Sequence, residues 1–383
     1  MNRLRGFGTT IFAEMSGLAD RTGAINLGQG YPDTDGPEEI KQAAIRAIEA
    51  GHNQYPPGPG IARLREAVAE HQRRFWGLDY DPDGEVLVTA GATEALAAAL
   101  LAVCEPGDAV VLFEPWYDAY AAGVELAGAT HRSVTLRADD GYAFDPAELA
   151  DAVMPRTRAV VLNSPHNPTG KVFDERELAQ VRDLCVEHDL VCITDEVYEH
   201  ITFPRSLRSH VPIATLDGMR ERTVTISSAA KTFSFTGWKV GWVCSTPALV
   251  AEVRTVKQFL TYVNAAPFQH AVAEGLEVLG DDYYTGLASD LEAKRDLLCA
   301  GLEATGFTVL PPDGTYFVTV DIRPLGYDDG LTFCRETLPA CGVVAVPNVV
   351  FYDRPDEGRH LVRFAFCKRH DVLEEAVDRL KTL

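Results

Sequence analysis

The chain has 383 residues, 46% hydrophobic and 24% charged, a globular composition long enough for two domains. Its 56 acidic and 35 basic side chains leave a formal charge of −21, which repels phosphate backbones and excludes nucleic acid as an expected partner. No apolar run approaches the roughly 20 residues of a membrane span, the start MNRLRGFGTTIFAEM lacks a secretory h-region, and eight cysteines without a C-x-x-C or Cys/His cluster suggest neither metal nor disulfides.

A cytoplasmic protein with reduced, mostly buried thiols is therefore expected. The first 35 residues, including Leu27-Gly28-Gln29-Gly30-Tyr31-Pro32, do not share the pattern that follows. Asn53-Gln54-Tyr55-Pro56-Pro57-Gly58-Pro59-Gly60 is a rigid Pro/Gly loop. Strands are predicted at Val86–Thr89, Ala109–Phe113, Ala159–Asn163, Leu190–Thr194, Thr223–Ser227 and Val240–Cys244, with helices at Thr93–Cys104 and Glu175–His188. Such alternation indicates an α/β fold with a mostly parallel sheet covered on both faces. Near residue 280 the texture changes. A long helix Tyr283–Thr305, strands near Thr315–Asp321 and Leu361–Phe366, and a closing helix from Asp371 make a smaller α+β domain. The expected division is 36–279 for the large domain and 1–35 plus 280–383 for the small one.

The predicted strands end in residues suited to a ligand, and each has a plainer reading beside it. After Thr89, the small residues Ala90, Gly91, Ala92 and Thr93 start a helix whose free N–H groups could meet a phosphate; a Thr93 N-cap explains the same letters. Glu114-Pro115-Trp116-Tyr117 brings two rings to a strand end, where core packing competes with a binding role. Asn163-Ser164-Pro165-His166-Asn167-Pro168-Thr169-Gly170 is a loop in any protein, and His166 has no evident partner in it. Asp195 closes an apolar strand and would point into the crevice where parallel sheets bind ligands, unless it caps a helix. Arg363 lies on the face of its strand opposite Val362, Phe364 and Phe366, free for an ion pair or an anion.

Lysine is scarce, eight residues against twenty-seven arginines, yet two fall in Ser227-Ser228-Ala229-Ala230-Lys231-Thr232-Phe233-Ser234-Phe235-Thr236-Gly237-Trp238-Lys239-Val240-Gly241-Trp242. Burial and a neighbouring cation would lower the Lys231 pKa and free its amine; a solvated loop lysine is the plain alternative. The spacing S-x-x-K-x-x-S/N-x-x-G-W-[RK]-x-G resembles the cofactor-lysine signature of class I and II aminotransferases, and the resemblance runs from LGQGYPD to HLVRFAFCKR. It implies pyridoxal phosphate as cofactor and an aspartate aminotransferase-like fold, with a seven-stranded sheet between helices.

The resemblance also implies roles. Lys231 is the Schiff-base and proton-shuttling lysine, Asp195 the partner of the pyridinium nitrogen, and Tyr198 and Asn167 the donors to the ring oxygen. Gly91, Ala92, Thr93, Ser228 and Lys239 bind the phosphate. Lys239 stands where many relatives have arginine, so a point charge replaces a fork. Tyr117 stacks on the cofactor, and Tyr55 reaches the phosphate of a neighbouring subunit in a homodimer. Arg363 takes the substrate carboxylate bidentately, with Gly30, Tyr31 and Asn167 beside it. The aromatics Tyr31, Trp116, Tyr117 and Phe235 are candidates for the cleft, and Arg5 for a distal substrate carboxylate.

NQYPPGPG, NSPHNPTG, ITDEVYEH, ISSAAK and RPLGYDD look most like actinobacterial N-succinyldiaminopimelate aminotransferases, with the kynurenine/glutamine/methionine branch next. The implied reaction moves an amino group from an amino acid to a 2-oxo acid such as 2-oxoglutarate. Elimination as in β-lyases, carbon–carbon bond formation, oxidation and a non-catalytic binding role remain alternatives at the level of sequence.

Overall fold

The computed structural model describes residues 4, 8, 10–206 and 208–383. Its centre is a seven-stranded sheet in the order Val86–Thr89, Gly241–Cys244, Thr223–Ser228, Val191–Asp195, Thr157–Asn163, Ala109–Glu114, Thr130–Thr135. Gly241–Cys244 runs antiparallel to both neighbours, and every other pairing is parallel. The expected strands appear within one or two residues of their predicted limits. Thr130–Thr135 was not foreseen: it is an edge strand whose first four residues keep partial exposure, so its Thr-His-Arg-Ser sequence carries no apolar run.

Alternation along the strands feeds two apolar layers. Val110, Leu112, Val161, Ile193 and Val243 face the alanine-rich helix Gly91–Val103 and the helix Pro247–Leu260. Val111, Phe113, Val160, Leu162 and Cys192 face the opposite way, against Glu175–Glu187. That helix starts on a capping box, with Asp174 accepting from the Glu177 N–H and Glu177 from the Asp174 N–H. Burial on both faces explains why these strands read as unbroken apolar runs.

The second part is a four-stranded antiparallel sheet, Val346–Pro347, Leu361–Ala365, Phe317–Asp321 and Thr308–Leu310. The helices Asp281–Thr305 and His370–Leu380 pack on it. The helix Ile11–Thr22 joins the same core, and Ile25–Asn26 pairs in parallel with Val343–Val344. Among the described residues no helix is long and apolar enough to cross a membrane. The eight cysteines are unpaired, six of them buried.

Candidate active site

The carboxyl ends of the parallel strands bring the chemistry together. Thr223–Ser228 runs into a single helical turn, Ala229–Thr232, which sets Ser228 and Lys231 at the crevice. The Lys231 ammonium donates to the Gly30 carbonyl at 3.3 Å and lies 5.5 Å from the Tyr316 ring centre and 5.9 Å from that of Tyr198. Desolvation pushes its pKa down to about 8, helped by the Lys239 and Arg363 charges and opposed by Cys367 and Asp195. Lys231 is thus no solvated loop lysine.

Asp195 pairs in register with Asn163 on the adjacent strand. No helix follows it, so it caps none. Its Oδ1 accepts from the Val197 N–H at 3.3 Å and its Oδ2 from the Tyr120 hydroxyl at 2.8 Å. Burial raises its pKa, while the Tyr120 hydrogen bond and Lys231 work in the other direction. Asn163 braces the neighbouring loop: its Nδ2 donates to the Asp195 carbonyl at 2.7 Å and its Oδ1 accepts from the Asn167 N–H at 2.7 Å. Neither Tyr120 nor Asn163 stood out in the sequence, because a tyrosine inside a helix and an asparagine at a strand end have ordinary structural uses.

A cup for an anion lies at the start of the helix Gly91–Val103, whose first N–H groups lack intrahelical partners. Gly91 has φ +75°, and a Cβ there would stand 3.2 Å from both Cε and Nζ of Lys239. A Cβ on Gly241 would come within 2.6 Å of the Gly91 carbonyl carbon, so the last strand presses directly on the cup. Thr93 does not cap this helix; Ala90 occupies the cap position and Glu94 accepts its N–H at 2.6 Å.

Arg363 is 1% exposed yet has neutral partners only: Nη1 donates to Asn167 Oδ1 at 2.9 Å and Nη2 to the Gly28 carbonyl at 3.0 Å. Its Nε is buried without a partner. The guanidinium lies 3.9 Å from the Phe317 ring centre and 5.3 Å from those of Phe12 and Phe351. Burial pushes its pKa down to about 10. Among the described residues the structural ion pair considered for this position is not formed, and a buried cation without a counter-charge is suited to an incoming carboxylate.

These groups line one cavity of about 370 Å³ with Gly30, Gly91, Ala92, Thr93, Tyr117, Asn167, Asp195, Tyr198, Ser228, Lys231, Lys239 and Arg363 in its wall. Phe12, Gln29, Leu96 and Phe317 also line it, and single residues far apart in sequence gave no signal of this. Other expected residues lie outside this wall. Tyr31 is outside the wall and 47% exposed, with Lys368 donating to its carbonyl at 2.8 Å and lying 4.4 Å from its ring centre. Trp116 is core, packed edge-on against His131, and Phe235 is stacked on Trp238. Tyr55 is 81% exposed on a separate surface hollow. His166 does have a partner: its Nδ1 meets Thr169 Oγ1 at 2.8 Å, and burial lowers its pKa to about 3. Arg5 lies outside the described residues.

Behind the Asp195 turn, His71, Glu199 and His200 bring three ligating atoms within 4.8 Å. The two Nε2 atoms are 2.7 Å apart, a hydrogen bond, and closer than the roughly 3.3 Å between ligands of one tetrahedral zinc. Glu199 is engaged on both oxygens, accepting from Trp76 at 2.6 Å and from Ser227 at 2.5 Å. The group is a hydrogen-bonded brace under the turn that carries Tyr198.

The cavity's donor set fits pyridoxal phosphate: cation and free N–H groups for a phosphate, a buried carboxylate for a ring nitrogen, and an amine for an aldehyde. Known proteins agree. The sequence pattern of the aminotransferase class I and II family matches residues 22–380. A probable N-succinyldiaminopimelate aminotransferase of Mycobacterium tuberculosis is 53% identical over 100% of this chain and 98% of that relative. The methionine aminotransferase of Escherichia coli is 38% identical over 100% of this chain and 98% of its own. The solved structure of N-succinyldiaminopimelate aminotransferase from Mycobacterium tuberculosis superposes with a TM-score of 0.97 at 54% identity, covering 100% of this chain and 99% of that one. With its α/β architecture and lysine-centred cavity, the chain belongs to the class I and II aminotransferases, enzymes that depend on pyridoxal phosphate.

Proposed function

We propose that this aminotransferase takes N-succinyldiaminopimelate as amino donor and 2-oxoglutarate as acceptor, in a homodimer. Full-length identity of 53% to the mycobacterial relative supports the donor. The observation that carries substrate binding is Arg363, a buried guanidinium in the cavity wall whose hydrogen-bond partners among the described residues are neutral.

The cofactor, when bound, supplies the electron sink for carbanion chemistry at the substrate Cα. The protein supplies the rest. Lys231, with its pKa near 8, would hold the cofactor through its aldehyde and, once released, would carry a proton at the substrate Cα. Asp195, held in place by the Tyr120 hydroxyl, would keep the ring nitrogen protonated. Lys239, Ser228 and the helix start would hold the phosphate, Tyr117 would pack on the ring, and Tyr198 and Asn167 would donate to its oxygen. Gly30 lies beside the Arg363 carboxylate site. Tyr55 would serve the phosphate of the second subunit, since its exposed ring packs edge-on with that of Tyr262, exposed aromatic surface that a partner copy would cover. Unpaired cysteines suit a cytoplasmic setting.

A second reading, a methionine- or kynurenine-type donor, is favoured by Phe12, Leu96 and Phe317 in the cavity wall. Comparing kcat/KM across a donor panel with 2-oxoglutarate decides between them. N-succinyldiaminopimelate should lead by at least tenfold; methionine or kynurenine in front would replace the proposal.

A further inference from the structure

The two halves of the phosphate cup come from different strands, and one side chain outside the cup joins them. Asn264 donates from Nδ2 to the Thr89 carbonyl and to the Lys239 carbonyl, each at 3.0 Å. Thr89 ends the strand that leads into the helix start, and its hydroxyl in turn donates to the Gly91 carbonyl at 3.0 Å. Reversing the amide would set its oxygen against two carbonyl oxygens, so the orientation is fixed by chemistry.

Lys239 needs such a hold. Its backbone is left-handed, φ 55° and ψ 48°, a conformation that a lysine keeps only where its surroundings impose it. That conformation lays Cε and Nζ over Gly91. An arginine could find a phosphate with a fork, but a lysine is a point charge whose aim depends on its backbone. Asn264 is itself braced. Its carbonyl accepts from Gln269 Nε2 at 2.7 Å, and Gln269 Oε1 accepts from the Ile61 N–H at 2.9 Å. Lys257 ties the same loop to the Tyr55 loop, donating to the Tyr262 carbonyl at 2.8 Å and the Gly58 carbonyl at 3.2 Å.

We infer that Asn264 is a positioning residue of the phosphate cup, holding Lys239 in its left-handed conformation over the helix start. This rests on the reading above that the cup takes the cofactor phosphate.

The test compares pyridoxal phosphate with pyridoxal, which lacks the phosphate, in equilibrium binding to cofactor-stripped protein. Asn264→Ala should weaken pyridoxal phosphate about tenfold, leave pyridoxal unchanged and move the phosphorus resonance of the bound phosphate. Asn264→Ser, which keeps one donor, should lose less and serves where the alanine variant does not fold. Equal losses for both ligands, or no loss for either, overturn the inference. Lys239→Ala separates the two levels. If it abolishes the preference for the phosphate while Asn264→Ala leaves that preference unchanged, the inference fails and the cup stands. If Lys239→Ala also leaves the preference intact, the phosphate assignment itself fails.

Discussion

The Arg363 guanidinium donates from Nη1 to the Asn167 side-chain oxygen at 2.9 Å, and this contact spans the two halves of the molecule. Arg363 stands on the small antiparallel sheet, whereas Asn167 follows a strand of the large one. The site therefore exists only where the two sheets meet.

Arg363→Ala should lower kcat/KM for the amino donor through KM, while cofactor affinity stays normal. A charge-assisted contact of about 1.5–3 kcal/mol corresponds to roughly 10- to 150-fold. Steady-state kinetics beside a cofactor titration check this, and an unchanged KM would remove Arg363 from the substrate site.

Asp195→Asn keeps shape but loses the negative charge. We expect kcat to fall by about two to three orders of magnitude, the scale of losing one preorganised electrostatic partner. Tyr120→Phe removes one hydrogen bond to Asp195 and should cost less. The order of the two effects, measured at saturating cofactor, is the check.

Cofactor capture should follow the neutral fraction of Lys231. Its amine is depressed to about 8, so the second-order rate of pyridoxal phosphate binding should rise with pH up to about 8 and then level. An ordinary lysine, at about 10.4, would still be climbing at pH 9. The Lys239 and Arg363 charges lower this pKa, so Arg363→Ala should move the plateau to higher pH. A plateau that stays put would contradict the electrostatic part.

Glu199 offers a pH test of stability. Burial raises its carboxyl from 4.5 to about 7, against the hydrogen bonds from Ser227 and Trp76. The folded state then binds a proton more readily than the unfolded chain, so its contribution is complete below about pH 4 and is lost as pH rises through 7. Glu199→Gln should flatten that loss, gaining up to roughly 3 kcal/mol on the native protein between pH 5 and 8. Denaturant melts of both proteins across that range measure it.

If Tyr55 acts across a dimer, mixing Tyr55→Phe with Lys231→Ala subunits should create one native site per mixed dimer, pairing the intact lysine with the partner's intact tyrosine. Cofactor affinity in the mixture should then include a native component absent from either variant alone. A mixture that merely averages its parents would place Tyr55 elsewhere.

Much of this was legible in the sequence because parallel strands put chemistry at fixed places. Asp195, Asn167 and Lys231 each lie at or just past a strand's carboxyl end, where a short motif is also a position in space. What escaped detection is held by tertiary contact alone. Phe12 comes from the first helix, Phe317 from the small sheet and Tyr120 from the first turn of the helix Ala119–Ala127, and nothing local marks any of them. That Tyr31 stands outside the cavity wall beside Lys368 is likewise visible only in the fold. The Thr130–Thr135 strand was missed because pairing at an edge needs no apolar pattern.

The central claim is that Lys231 bonds the cofactor. Reducing the cofactor-loaded protein with borohydride and mapping its peptides by mass tests it most directly. The phosphopyridoxyl mass should sit on the peptide containing Lys231, and Lys231→Ala should lose both the label and the visible absorbance of the bound cofactor. Label on Lys239 or on another of the eight lysines, with Lys231 unmodified, would contradict it.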